Sequence, residues 1–138
     1  MMKTYDTVLR TTETEKVTVN LGVVDLGQID LLVQERFYSN RTDFIRTAIR
    51  NQLTAHADVL KQMVTRKSMV LGLQHLDRTE LESAQAAGQK LRIQVIGLAS
   101  IANDVPAELA RATIESVHVL GVLQASPAVK AALADRIR

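Results

Sequence analysis

Along residues 16–21, Val17, Val19 and Leu21 alternate with Lys16, Thr18 and Asn20, the two-residue period of a strand with one apolar and one polar face. The period then lengthens. Ile29, Leu32, Val33 and Phe37 fall on one helical stripe, and Asp25 with Gln28 has the spacing of a capping box, which together predict a helix from Asp25 to about Phe37. A second stripe of Phe44, Ile45, Ala48, Ile49 and Leu53 follows Asn40 and Asp43, the N-cap and N3 residues of a second helix. Leu60, Met63 and Val64 keep helical spacing as far as Arg66 with no Gly or Pro. Either the second helix runs on through them or it breaks near Thr54 or His56 into a third.

Beyond residue 67 the pattern repeats. Val70-Leu71-Gly72-Leu73, Val95-Ile96-Gly97-Leu98 and Val119-Leu120-Gly121-Val122 recur at intervals of 25 and 24 residues. Each is followed by a helix-start signal, at Asp77 with Glu80, Asp104 with Pro106, and Ser126 with Pro127, and the last two lead into the Ala/Leu-rich stretches 107–112 and 128–133. Three strand-turn-helix units of this kind stack with parallel strands, a small βα solenoid in which each unit covers its neighbour's apolar side. The glycines mark close backbone approach or a bend at the strand's end. The outer strands leave edges on which another chain can pair.

The strand at 16–21 is too short to satisfy its own backbone groups or cover its apolar face, and no partner strand follows within the next few dozen residues. Antiparallel pairing with the same segment of a second chain supplies both needs and displays Lys16, Thr18 and Asn20 twice about a two-fold axis. Such a ribbon fits the major groove of B-DNA, where Asn addresses adenine, Lys addresses guanine, and Thr serves a base edge or a thymine methyl. The second helix's N-terminus, with free backbone N–H groups, suits a phosphate. In order and spacing this strand and the two helices resemble the ribbon-helix-helix family of DNA-binding proteins, the small bacterial and plasmid repressors and antitoxins, over about residues 16–53. The resemblance implies base reading by Lys16, Thr18 and Asn20, and clamping of the DNA backbone by Ser39, Asn40, Arg41 and Thr42.

Charge placement agrees with that reading. Arg36, Arg41, Arg46, Arg50, Lys61, Arg66 and Lys67 face only Asp43 and Asp58 across 36–67, whereas the two signs balance over 68–138. With two Phe, two Tyr and no Trp, base stacking on aromatic platforms is not the mode of binding. The absence of Cys removes disulfides and thiolate chemistry. His56, His75 and His118 have no ligand spacing, so neither a metal nor a cofactor is expected, unlike the nickel-responsive members of the resembled family, which use a His and Cys cluster. Asp104, Glu108 and Glu115 lie near helix starts, where the helix dipole accounts for them, and no catalytic set emerges.

The expectation is therefore an α+β chain that is not an enzyme. It comprises a polar, flexible arm over 1–15, a ribbon-helix-helix domain over 16–67 and a βα-repeat oligomerisation domain over 68–138. It would act in the cytoplasm as a sequence-specific regulator of double-stranded operator DNA, most simply a repressor. It would form a homodimer through the N-terminal strand and a tetramer or larger assembly through the repeats. The other class the sequence allows is an adaptor or antitoxin-type protein, whose repeats polymerise or hold a partner protein while the ribbon anchors it to DNA.

Overall fold

In the computed structural model, residues 14–138 are described, and the expected arm lies outside the described residues up to Glu13. Two units, Thr14–Met63 and Val64–Arg138, emerge from the pattern of internal contacts.

The first unit opens with an extended segment over 16–22 that has no strand partner among the described residues. Helix α1 follows at Val23–Gln34, with Gly22 as N-cap. This corrects the expected start at Asp25, which sits in the first turn, where a carboxylate complements the dipole without capping. The helix also stops short of Phe37. Arg36 adopts φ 67°, and the amides of Arg36 and Phe37 donate to the carbonyls of Val33 and Leu32, which closes α1 in a Schellman motif. Helix α2, Arg41–Ala55, starts where the capping signal placed it, with Asn40 Oδ1 accepting from the amide of Asp43 at 2.8 Å. Of the open alternatives, the break is the one observed. His56 leaves helical geometry and α3 restarts at Ala57–Arg66, closing through Ser68 at φ 53° in a second Schellman motif.

The second unit is a three-stranded parallel sheet in the order β1 (Val70–Leu76), β2 (Leu91–Ile101), β3 (Ile114–Gln124). Helices α4 (Arg78–Ala86), α5 (Ala107–Thr113) and α6 (Pro127–Ala132) follow the successive strands. The internal repeat becomes the strand register: Val70 pairs with Val95 and Val95 with Val119, and the three glycines form one row across the sheet. Asp77 and Ser126 cap α4 and α6 as expected, accepting from the amides of Glu80 and Val129. Asp104 does not cap α5. That place is taken by Pro106, whose extended conformation delays the helix to Ala107.

The core lies between sheet and helices. Ile93, Val95, Ala99 and Ile101 of β2 and Val117 of β3 pack with Leu81, Leu109, Ala110, Val129 and Leu133. Val119 and Leu123 also turn to this side, so Val119 belongs to the core margin rather than to an exposed edge. The glycine row lies inside the strands, not at their ends. Gly72, Gly97 and Gly121 have φ of 127°, 137° and 121°, and a Cβ on Gly97 or Gly121 would lie 2.1 Å from the carbonyl oxygen of the neighbouring glycine. No larger residue fits without moving backbone. The open edges also differ from expectation. The strand-start half of β3 is bridged by Ile137, with the Arg138 amide donating to the Val117 carbonyl at 2.9 Å, while the outer edge of β1 pairs with no strand among the described residues.

Candidate nucleic-acid interface

Lys16, Thr18 and Asn20 lie on the extended segment, exposed and outside any strand pairing. Val17 and Val19, which alternate with them, are 78% and 69% exposed. An apolar row this open has no cover among the described residues, as the pattern of the segment leads one to expect.

The turn between α1 and α2 is built by reciprocal capping. Asn40 Oδ1 accepts from the amide of Asp43, and Asp43 Oδ2 accepts from the amide of Ser39 at 2.9 Å. Tyr38 and Phe44 close the turn edge to face, their ring centres 5.0 Å apart. These bonds divide the four expected phosphate-binding residues. The Ser39 amide and the Asn40 side chain are committed to the cap, while helix geometry leaves the amides of Arg41 and Thr42 at the open end of α2. The Arg41 guanidinium is engaged too. Its Nε and Nη2 donate to the two carboxylate oxygens of Asp30 at 2.7 and 2.8 Å. This forked pair ties α2 to α1 and holds the Asp30 carboxyl below the usual carboxylate range, chiefly through the hydrogen bond. Both partners remain about half exposed, so a phosphate can approach the arginine from solvent.

Asp30 is the neighbour of Arg41 that sequence reasoning missed. It lies eleven residues from Arg41 on a different helix, and no spacing rule links the two. The remaining cations of this unit are spread out: Arg46 and Arg50 lie along exposed positions of α2, Arg36 at the α1 terminus and Lys61 on α3. Among the described residues no group of three or more His, Cys, Asp or Glu could hold a metal ion, and no helix is long and apolar enough to cross a membrane.

An exposed alternating segment, two helices and a basic capped turn are the parts of a ribbon-helix-helix module. The comparison with protein families agrees. The Ribbon-Helix-Helix transcriptional regulator family matches residues 12–130, and the chain belongs to that family. Its members are DNA-binding regulators that bind DNA as dimers. The match runs well past the residues that carried the resemblance and takes in all three strands of the repeat unit, so the repeats are part of the family's domain. No curated protein and no solved structure matches the chain.

Proposed function

We propose that the protein is a sequence-specific repressor that reads operator DNA through the major groove with a two-stranded ribbon formed by residues 16–21 of two chains. The observation that carries this reading is the state of those residues: extended, alternating, with the apolar half bare and Lys16, Thr18 and Asn20 free on the other half. Pairing two such segments buries the valines against the helices and points the polar residues outward at a ribbon's spacing. The turn then meets the backbone. The amides of Arg41 and Thr42 supply donors at the helix start, Ser39 and Asn40 hold that start in shape, and Arg41 supplies positive charge braced by Asp30. In this reading the repeats join one dimer to the next.

Selection of bound DNA from a random pool, followed by sequencing, tests the assignment. The wild-type protein should return an inverted-repeat consensus. Asn20→Ala should lose preference at one position per half-site, about 1 to 3 kcal/mol for a bidentate contact. Arg41→Ala should weaken binding to all sequences alike and flatten its salt dependence. An unchanged consensus for Asn20→Ala would remove the segment from the reading role.

A further inference from the structure

Parallel sheets ordinarily have both faces covered, yet the helices of the second unit account for only one. Side chains alternate along β2 and β3, so those that do not enter the core share the opposite face. Across the glycine row this face carries two ladders, Leu71-Ile96-Leu120 and Leu73-Leu98-Val122, in register from β1 to β3. Leu71 is 70% and Leu120 51% exposed. Leu98 is buried on the central strand but stands outside the core cluster, as a residue of the second face must.

We infer that this face docks against the same face of a second copy of the chain. The interaction rests on the reading that the protein assembles as copies of itself, and it moves the contact from the strand edges to the sheet surface. The arrangement of charge selects the occupant. The six apolar residues include no charged group, which excludes nucleic acid and strongly charged partners. Polar groups border them at both ends. His75 Nδ1 and Ser100 Oγ lie 2.6 Å apart beyond one ladder, and Arg92 pairs with Glu115 at 3.1 Å toward the strand starts. A cation and an anion side by side are self-complementary about a two-fold axis, because each meets the other's counterpart.

The area fixes how the contact is used. Six such side chains on strands about 4.8 Å apart present on the order of 400 Å² per copy. A face-to-face pair then buries on the order of 800 to 1,000 Å², below a standard stable interface. Such a surface associates weakly between free molecules but closes when the copies are already joined elsewhere, where effective concentrations reach about millimolar.

The chain has no native cysteine, so single cysteines in the full-length protein report proximity directly. Ile96→Cys lies on the central strand, nearest the expected axis, Thr18→Cys on the outward row reports the ribbon, and Glu82→Cys on α4 is the helix-side control. With a short bifunctional maleimide, Ile96→Cys and Thr18→Cys should each give covalent dimers and Glu82→Cys should not. Adding Leu71→Glu and Leu120→Glu to Ile96→Cys should lower its cross-linking roughly tenfold or more, since like charges would be forced together. Both sites are largely in solvent, and circular dichroism checks that the fold is kept. If Ile96→Cys does not fold, Leu73→Cys on the same face replaces it. Cross-linking at Thr18 without cross-linking at Ile96, or equal yields at Ile96 and Glu82, overturns the face contact and leaves the ribbon dimer standing. Cross-linking at Ile96 alone supports the face and defeats the ribbon, and cross-linking at neither site defeats both.

Discussion

The two units of this chain solve the problem of apolar surface in opposite ways. In Val64–Arg138 one chain is enough: Leu81, Ile93, Val95, Ile114, Val117, Val129 and Leu133 are all at most 1% exposed. In Thr14–Met63 the only buried apolar residue is Ile29, while Val17, Val23, Val24, Leu31, Phe37, Ile49 and Leu53 each stand more than half exposed. The contrast is not one of composition, since both units are rich in Val, Leu and Ile. It lies in topology. Three strands stacked with their helices enclose a core, whereas one extended segment and the helices that follow it do not. By itself the first unit leaves most of its apolar side chains in solvent.

The largest predicted effect lies in the self-sufficient unit. Gly97→Ala places a methyl group against the Gly72 carbonyl at a positive φ, and should cost on the order of 3 kcal/mol. The loss should appear in thermal melts of the repeat unit and be independent of protein concentration. If this variant melts like the wild type, the glycine row is not a site of close approach and the account of that sheet is wrong.

The next effect separates the units. Ile49 is 54% exposed in the single chain, and a substitution at such a surface position ordinarily changes stability by less than about 0.5 kcal/mol. If a second copy covers it, Ile49→Ala should cost about 2 kcal/mol or more per chain, expressed as a raised dimer dissociation constant in sedimentation equilibrium. A neutral result would erase the difference between the units.

How much of this was readable in the sequence depended on periodicity. The intervals of 25 and 24 residues fell directly into register as Gly72, Gly97 and Gly121, because stacked repeats turn sequence spacing into spatial alignment. Asn40, Asp77 and Ser126 capped as their side chains dictate. Helix ends were harder to see. At Gly88 the left-handed residue closing α4 is a glycine, but at the ends of α1 and α3 the same conformation is held by Arg36 and Ser68, which carry no such signal. At the candidate interface the capped turn was legible from local spacing, whereas the Arg41–Asp30 brace depends on how two helices meet. The pairing proposed for 16–21 is equally beyond local rules, because its partner would be another chain.

A smaller effect follows from that helix end. Arg36→Gly should stabilise the first unit by up to about 1 kcal/mol, since glycine adopts the left-handed conformation without the penalty of a Cβ. Chemical denaturation at fixed protein concentration measures it. A loss of stability instead would show that the Arg36 side chain outweighs its backbone strain.

The claim that the N-terminal unit exists only as a pair is tested most directly on residues 1–63 alone, by following helicity and molecular mass together across protein concentration. A rise of folded fraction with concentration, with dimer mass wherever the fragment is folded, is the predicted result. A fragment that is monomeric and cooperatively folded at micromolar concentration would contradict it.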